Sequence, residues 1–253
     1  MKIVVLGPFN SGKSSFIRKV CRGSSISLDK SGTTVSLDHG TVGVYGINVH
    51  LFGTPGLQRF EVIRKILERG ADGVLFIVDS LNPASLDEGR DLWKGFRENL
   101  PKDIPIVVLA NKQDDPDAIS PQKVLEGLGI EEDVSTIPIL GVSVKEGHNV
   151  DRALSLIVLS VLSRYFVILR AIRDGITITG IINELHRVDP NHSADEAVII
   201  SKLQWLSWRN LVRGNFETME FSLPSRIREI VEIFEFLRSF GRADLEGHFA
   251  LLK

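Results

Sequence analysis

The sequence has a single cysteine, Cys21, among its 253 residues. One thiol excludes an internal disulfide and a zinc site built from several cysteines, and it suits a reducing compartment such as the cytoplasm. The 6 histidines are scattered without the spacing of metal ligands. We therefore expect no structural metal held by cysteine or histidine.

The sequence also lacks an excess of charge of either sign, since 30 lysines and arginines stand against 32 aspartates and glutamates. No global field therefore draws the protein onto nucleic acid or an acidic membrane, and any such contact must be local. The 43% of hydrophobic residues and 25% of charged residues are typical of a soluble globular protein. A chain of this length has room for one or two cores.

We predict no stable membrane anchor. The chain begins directly with a strand, which leaves no room for a cleavable leader or a myristoylated glycine, and no prenylation cysteine stands at its end. Residues 154–172 are apolar enough to raise the question of a membrane span, because about 20 residues suffice. Arg164, Arg170 and three serines interrupt this run. We interpret it as a buried helix leading into a second domain, and we expect a cytoplasmic protein.

Strand-like and helix-like segments alternate over residues 2–165, as in a mostly parallel sheet covered by helices on both faces. The predicted strands are 2–6, 34–45, 47–52, 73–79, 105–111 and 136–143. The predicted helices are 13–22, 59–69, 86–100, 121–128 and 150–165. Tyr45-Gly46 predicts a hairpin, which adds an antiparallel edge. The expected fold class is α/β, with a doubly wound, mostly parallel sheet of six strands.

The segment after the first strand reads Gly7-Pro8-Phe9-Asn10-Ser11-Gly12-Lys13-Ser14, which fits G-x-x-x-x-G-K-[ST]. Its glycines let backbone N–H groups surround a phosphate, and the following helix adds the positive end of its dipole. Lys13 supplies a point charge to the outer phosphates, and Ser14 is the predicted magnesium ligand. The predicted phosphate-site residues are Gly7, Asn10, Ser11, Gly12, Lys13, Ser14 and Ser15. For this motif alone, a glycine turn with a capping serine is the alternative.

A second polar segment, Asn111-Lys112-Gln113-Asp114, follows a predicted strand at its carboxyl end, where ligands bind in α/β sheets. Asp114 can accept two hydrogen bonds from N1–H and the exocyclic amine of guanine. Adenine has an acceptor at N1 and no amine beside it. Sites that bond a specific polar group reject analogues lacking that group by as much as ~10⁴–10⁵. The segment therefore predicts a guanine site, against the alternative of an exposed turn that caps a helix.

Neighbouring residues are expected to complete this guanine site. The stem of Lys112 can lie over the base, and Asn111 can brace two loops. The segment Ser143-Val144-Lys145 follows the last predicted strand and can offer backbone N–H groups to O6 of guanine.

In this order the segments resemble the sequence boxes of Ras-like GTPases, and NKQD is similar to the spelling of the Arf branch and its prokaryotic relatives. The resemblance covers residues 1–165. It implies bound GTP or GDP with Mg²⁺, slow hydrolysis of the γ-phosphate, and signalling through effector and regulatory proteins. It does not indicate an oligomeric state. A threonine before the second strand contacts magnesium and the γ-phosphate in that family. The matching residue is Thr34, with Thr33 as the alternative.

One box departs from the family pattern. Where D-x-x-G-Q is expected, the chain reads Gly53-Thr54-Pro55-Gly56-Leu57-Gln58, so a glycine replaces the aspartate that holds magnesium through water. Leu57 takes the place of the water-positioning glutamine and Gln58 lies one residue later, so we expect slow intrinsic hydrolysis. Gly56 can still give its N–H to the γ-phosphate and couple the nucleotide to the helix at 59–69. Because G-T-P-G followed by Q-x-R-F is similar to the box of prokaryotic Arf-like GTPases, we interpret the change as a lineage feature.

Catalysis in such a site consists of positioning and charge neutralisation. The candidate catalytic residues are Lys13, Thr34, Gly56 and Gln58. The source of a catalytic arginine stays open. Arg59 and Arg64 follow the switch but can equally pair with Glu61 or Glu68, and a partner protein is the other source.

Residues 166–253 predict a smaller, mainly helical second domain. A short strand at 176–178 precedes helices at 180–187 and 195–213, the second capped by Ser193, and a β element at 216–221 precedes a last helix at 226–240. This order resembles a winged-helix domain, a fold that binds proteins as well as DNA. A DNA reader should carry a basic recognition helix, whereas the long helix offers only Lys202, Arg209 and Arg213. Nucleic acid is therefore not an expected partner.

The long helix also carries a stripe of Trp205, Trp208 and Val212. Such a stripe is most often core, because large apolar side chains gain free energy on burial. If part of it is exposed, a docking face for a protein is the alternative.

The ordered boxes favour a cytoplasmic regulatory GTPase whose nucleotide state sets its partner binding. The alternative is a GTP-responsive DNA-binding or transcriptional regulator that uses the C-terminal domain, for which salt-dependent duplex binding would be diagnostic. A P-loop kinase is a third possibility, but it requires neither Asp114 nor the G-T-P-G box.

Overall fold

The computed structural model describes residues 1–21, 25–28, 37–54, 69–98, 101, 103–130, 137–172, 176–188 and 195–239. The chain divides into two compact units. The first comprises Met1–Val44 and Asn48–Val161, and the second comprises Tyr45–Ile47 and Leu162–Lys253.

The larger sheet of the first unit is formed by short runs of apolar and β-branched residues. Its strands are β1 (Lys2–Leu6), β2 (Ser25–Leu28), β3 (Leu37–Val44), β4 (Ile47–Gly53), β5 (Gly73–Asp79), β6 (Ile106–Asn111) and β7 (Ile139–Gly141). Their order is β2-β3-β4-β1-β5-β6-β7. The pairs β4–β1, β1–β5, β5–β6 and β6–β7 are parallel, and β2–β3 is antiparallel. The predicted α/β class with a mostly parallel sheet is therefore confirmed.

The described sheet contains one strand more than the six predicted. Ser25–Leu28 pairs along the outer edge of β3, from Ser25 opposite Gly40 to Leu28 opposite Leu37. Four residues are too short to give a periodic signal, so the sequence alone did not indicate this strand. The last strand is shorter than predicted, since β7 covers only Ile139–Gly141.

The helices of the first unit are α1 (Lys13–Cys21), α2 (Pro83–Arg97), α3 (Pro121–Leu128) and α4 (Val150–Ser163). α2 begins three residues before the predicted start, because Asn82 caps it through a hydrogen bond from Ala84 N and proline occupies its first turn. Ser120 caps α3 in the same way, and Gly129 ends it at a φ of 70°.

The core of the first unit lies on both faces of the sheet, as the continuous burial of β5 and β6 requires. On one face Phe76 meets the ring of Trp93 edge-on, with 5.3 Å between centroids. On the other face α4 comes so close to Gly73 that an added Cβ would lie 2.9 Å from Val161. Phe76 is 1% exposed, and its replacement by alanine belongs to a class that costs about 3–5 kcal/mol.

The predicted hairpin at Tyr45-Gly46 is confirmed, since these residues join β3 to β4 with φ angles of 50° and 74°. Positive φ at both positions is the signature of a type I′ turn, whose twist matches that of the flanking strands.

The second unit contains a small sheet and further helices. Its elements are α5 (Phe166–Ala171), β8 (Ile176–Thr177), α6 (Ile178–Val188), α7 (Glu196–Trp208), β9 (Arg213–Asn215), β10 (Glu220–Ser222) and α8 (Ser225–Ser239). The sheet order is β8-β10-β9, and both pairs are antiparallel. The unit is therefore smaller and mainly helical, as predicted.

Two predicted elements of the second unit were wrong in extent. The β element at 216–221 is a hairpin whose turn is 216–219, and Asn215 Oδ1 fixes this turn by accepting from the N–H groups of Glu217 and Thr218. The long helix ends at Trp208, because Leu211 N returns to Leu206 O and Asn210 adopts a φ of 57°. It is capped by Asp195, whose carboxylate accepts from Ala197 N at 2.9 Å. The predicted cap, Ser193, lies outside the described residues.

The apolar run at 154–172 is divided between two helices. α4 ends at Ser163 and α5 begins at Phe166, with a turn closed by the hydrogen bond from Tyr165 N to Leu162 O. Within the described ranges, no helix combines the length and hydropathy needed to cross a bilayer.

The predicted aromatic stripe is only partly core. Val212 is 2% exposed, whereas Trp208 is 82% exposed. Trp205 is half-buried, with its ring stacked on Tyr165 at 4.4 Å and the Arg209 guanidinium 3.9 Å from its centroid.

Candidate nucleotide-binding site

The loop between β1 and α1 requires glycine at two positions. Gly7 has a φ of 148°, and a Cβ there would lie 2.0 Å from the carbonyl oxygen of Ile77 on β5. Gly12 has a φ of 103°, and a Cβ there would lie 2.3 Å from Asn111 Nδ2. Any side chain would therefore force this loop away from the sheet, and the loop's path depends on close backbone approach.

Lys13 is folded into the same loop and is 7% exposed. Its ammonium group donates to the carbonyl oxygens of Gly7 at 2.9 Å and Pro8 at 2.5 Å. The charge is thereby held inside the ring of backbone formed by residues 7–13. Ser14 follows in the first turn of α1 and is half-buried, and Ser15 is exposed.

Asn111 connects this loop to the loop after β7. It is the last residue of β6 and is 3% exposed. Its Nδ2 donates to Ser11 O at 2.9 Å, and its Oδ1 accepts from Val144 N at 3.1 Å. Asn111 therefore connects two loops, which is the position that the sequence analysis had expected for it.

Asp114 lies beside the loop after β7. The hydroxyl of Ser143 donates to Asp114 Oδ1 at 2.7 Å, and the ammonium of Lys145 lies 3.5 Å from Oδ2. The hydrogen bond from Ser143 is the main cause that lowers the pKa of Asp114, and Lys145 acts in the same direction. The carboxylate is therefore ionised at neutral pH and available as a hydrogen-bond acceptor.

The expectation for backbone donors at 143–145 is corrected in part. Ser143 N donates to His148 O at 3.1 Å, and Val144 N is used by Asn111. These two groups serve the loop itself, so Lys145 supplies the candidate backbone donor of this segment. Ser143 instead contributes its hydroxyl, which holds Asp114 and accepts from Glu146 N.

Asp79 is a site residue that the sequence analysis missed. It ends β5 directly opposite Asn111 in the parallel register, and its Oδ2 lies 2.5 Å from Lys112 Nζ. Its other oxygen accepts from Leu81 N at 3.0 Å. The available signal was a carboxylate at the carboxyl end of a fully apolar strand, on the edge where ligands bind.

Lys112 and Gln113 are both fixed by neighbouring loops. Lys112 has a φ of 70°, and its ammonium is paired with Asp79. Gln113 donates from Nε2 to Ser80 Oγ and Ile119 O, each at 2.9 Å. The side chains of Lys112 and Gln113 are therefore held by contacts within the protein.

One cleft of about 670 Å³ receives residues from both predicted binding segments. Its volume is within the range of about 300–1,000 Å³ typical of small-molecule sites. The lining residues are Asn10, Gly12, Ser15, Arg18, Lys19, Leu81, Asn111, Lys112, Asp114, Asp115, Val144 and Lys145. The phosphate loop and the N-K-Q-D segment therefore open onto a shared space.

The remaining predicted switch and catalytic residues are Thr33, Thr34, Gly56, Leu57, Gln58, Arg59 and Arg64, and they lie outside the described residues. The predicted helix at 59–69 falls outside them as well, except for its last residue.

The donor set suits magnesium held largely by a nucleotide. In the part of the chain that the structure describes, no cluster of three or more His, Cys, Asp or Glu residues could hold a metal ion. Mg²⁺ usually keeps several waters and uses few protein oxygens together with substrate phosphates, and the hydroxyl of half-buried Ser14 in the first turn of α1 is an oxygen ligand of that kind.

Comparison with known proteins agrees with this geometry. Residues 2–112 match the family described as 50S ribosome-binding GTPase. Over 160 residues the chain is 35% identical to the tRNA modification GTPase MnmE of Pectobacterium carotovorum subsp. carotovorum (strain PC1). The alignment covers 60% of this chain and 33% of that relative, so the chain matches about a third of the relative's length. Both comparisons support GTP hydrolysis, and over the matched residues they support a P-loop GTPase of the prokaryotic type.

Proposed function

We propose that the protein is a GTP-binding regulatory switch that hydrolyses GTP slowly and binds its partners according to the bound nucleotide. The observation that carries this proposal is the pair of hydrogen bonds made by Asn111, which hold the phosphate loop and the Asp114 segment around one cleft. A purine nucleotide needs its base and its phosphates bound at a fixed separation, and this brace sets that separation.

Guanine selectivity is assigned to Asp114. Its ionised carboxylate can accept from N1–H and the exocyclic amine of guanine, and Ser143 and Lys145 hold it in place. Adenine would leave this carboxylate without its donors, which is the arrangement that gives strong rejection of an analogue. The backbone N–H of Lys145 is the proposed partner of O6.

Phosphate binding is assigned to the backbone of residues 7–13, to the first turn of α1 and to Lys13. The Lys13 ammonium already lies inside the loop, so a bound phosphate meets a positive charge held in place. Mg²⁺, when bound, neutralises charge on the outer phosphates, and Ser14 and Thr34 are its proposed ligands.

Slow hydrolysis is proposed because Leu57, rather than a glutamine, follows Gly56. Gln58 and Gly56 stay the candidates for positioning the attacking water and sensing the γ-phosphate. An arginine from Arg59, Arg64 or a regulatory partner would supply the charge that such sites use to accelerate transfer.

The second unit is proposed as a winged-helix domain for protein contacts. Support comes from the element order and from the pairing of β8 with β10 rather than with β9. At the C-terminal cap of its long helix α7, Arg209 stacks on Trp205, and Asp195 and Glu196 stand at the N-terminal end. This distribution is a poor match for duplex DNA, so a DNA-binding regulator is the less favoured alternative.

The relative's name describes action on tRNA modification, but the aligned part is only a third of that protein. We therefore carry over the GTPase chemistry and not the tRNA role. The single buried Cys21 is consistent with the proposed cytoplasmic location.

Calorimetry with GTP, ATP and XTP tests the base assignment. Wild-type protein should bind GTP at least about 10³-fold more tightly than ATP, and Asp114→Asn should shift preference toward XTP, whose base offers an acceptor where guanine offers an amine. Asp115→Asn, at an adjacent position lining the cleft, is the matched control and should keep the GTP preference. Equal affinity of the wild type for ATP and GTP would end the base-site proposal.

A further inference from the structure

Gly53 stands at the edge of the sheet that adjoins the phosphate loop. It ends β4, and in the parallel register it lies opposite Val5, two residues before Gly7. An aspartate is expected at this place in a GTPase, where it holds magnesium through water. Glycine has no side chain to do so. The magnesium site of the proposed function therefore lacks one outer-sphere carboxylate at this position.

The space beside Gly53 contains a carboxylate from the neighbouring strand. A Cβ added to Gly53 would lie 3.1 Å from the Cβ of Asp38 and 2.9 Å from Cδ1 of Ile17. Because these two Cβ positions are close neighbours, the side chain of Asp38 leaves β3 on the sheet face that a residue at 53 would use. Asp38 is 5% exposed.

This face is the one covered by α1, and it leads to the predicted magnesium ligand. Ile17 lies three residues after Ser14, so the two occupy the same side of α1 about one turn, or about 5 Å, apart. Helical side chains tilt toward the helix N-terminus, which brings the tip of Ile17 toward Ser14. Asp38 Cβ and this tip lie 3.1 Å and 2.9 Å from the position of an added Gly53 Cβ, so Asp38 is close to the turn of α1 that begins at Ser14.

We infer that Asp38 replaces, from β3, the outer-sphere carboxylate that Gly53 cannot supply, accepting hydrogen bonds from water on the Mg²⁺ that Ser14 and the nucleotide phosphates hold. The inference rests on the proposed function, because the metal enters with the nucleotide. Glycine at position 53 is then a requirement of the packing, since a larger residue would collide with Asp38.

The test measures Mg²⁺ binding rather than hydrolysis. Release of a fluorescent GDP analogue is followed at increasing Mg²⁺ and in EDTA, for wild type and Asp38→Asn. Loss of an outer-shell partner typically weakens metal affinity by 10–100-fold, so the Mg²⁺ midpoint of Asp38→Asn should rise by about that factor. Release in EDTA should stay close to the wild-type rate, because Asp38 is proposed to act only through water on the metal and is not among the residues that line the cleft.

Two further variants separate this role from a merely structural one. In Asp38→Gly/Gly53→Asp the carboxylate is moved to the usual strand. Glycine at 38 removes the Cβ that would lie 3.1 Å from the new side chain, and the flexible tip of Ile17 can yield. This variant should recover at least part of the Mg²⁺ affinity. Asp72 is equally buried at 5% but accepts from Lys2 N at the opposite end of the strands, so Asp72→Asn should keep the wild-type midpoint.

An unchanged Mg²⁺ midpoint in Asp38→Asn, or equal losses with Mg²⁺ and in EDTA, overturns the inference. If Asp38→Asn does not fold, as judged by circular dichroism, a crystal structure of wild type with GDP and Mg²⁺ decides instead. The Asp38 carboxyl should then lie within about 3 Å of a metal-bound water, and a carboxyl turned away from the metal overturns the inference. Failure of the wild type to bind GDP under any condition would instead refute the proposed function itself.

Discussion

Asn111 donates a hydrogen bond of 2.9 Å to the carbonyl oxygen of Ser11, a residue 100 positions earlier in the chain. The same side chain accepts from Val144 N, so one buried amide connects the loops after β1, β6 and β7. These loops meet because β1, β5, β6 and β7 are parallel neighbours, whose carboxyl ends share one edge.

Asn111→Ala should weaken GTP binding by about 10–100-fold and lower the free energy of unfolding by about 1–3 kcal/mol, because Ser11 O and Val144 N each lose a buried partner. Calorimetry and urea denaturation measure the two effects. Asn149→Ala removes a comparable amide bond, from Nδ2 to Gly141 O, outside the residues that line the cleft. It should leave the affinity near that of wild type. Equal affinity losses in both variants would contradict the role given to Asn111.

Lys13→Ala should abolish measurable GTP binding, since it removes the positive charge held within the phosphate loop. The exposed Lys94→Ala on α2 is the control for loss of one lysine and should bind GTP normally. Nucleotide bound after gel filtration, quantified by absorbance, measures both. Retention of wild-type affinity in Lys13→Ala would show that the loop does not bind phosphate.

Ser143→Ala should raise the pKa of Asp114, because the Ser143 hydroxyl is the main group that lowers it from its ordinary value of 3.8. A carboxylate whose pKa is lower in the folded protein than in the unfolded chain stabilises the fold. This stabilisation is fully present at a pH above the ordinary pKa and is lost as the pH falls through the folded-state pKa. The variant should therefore lose GTP affinity at a higher pH than wild type on acidification. Paired affinity measurements over a pH range that extends from neutral to below the ordinary value of 3.8 check this, and identical profiles would contradict it.

Trp205→Ala should cost about 1–3 kcal/mol of stability, because its ring is stacked on Tyr165 and covered by Arg209. Trp208→Ala is the matched control, since that ring is 82% exposed, and it should change stability by no more than about 0.5 kcal/mol. Thermal and urea unfolding measure both. A larger loss at Trp208 than at Trp205 would contradict this packing.

The sequence predicted the parts of the fold whose signal is local. The apolar runs at β5 and β6 and the Tyr45-Gly46 turn were found because buried parallel strands and type I′ turns carry strong patterns. Ser25–Leu28 was missed because four residues show no period. The end of α7 was overestimated because the break at Asn210 depends on backbone conformation rather than on a proline or glycine.

In the site, motif spacing identified the residues but could not indicate which groups they bond. The bonds from the Ser143 hydroxyl to Asp114 and from Lys112 to Asp79 join segments whose approach depends on the folded sheet edge. The position of Asp38 beside Gly53 depends on the pairing of β3 within the sheet. The register set by the two-residue turn at Tyr45-Gly46 places Asp38 opposite Gly53, but that register was not followed along the hairpin in the sequence analysis.

The pairing of Lys112 with Asp79 has a consequence for the free energy of ligand binding. A lysine on a protein surface samples many rotamers, and freezing such a side chain on association costs about 0.5–1.5 kcal/mol. Here the ammonium is paired with a carboxylate that is 5% exposed, which restricts the rotamers of the aliphatic stem. A base that binds over Lys112 therefore contacts a side chain that is already ordered, and the entropy cost of ordering that side chain on binding is reduced.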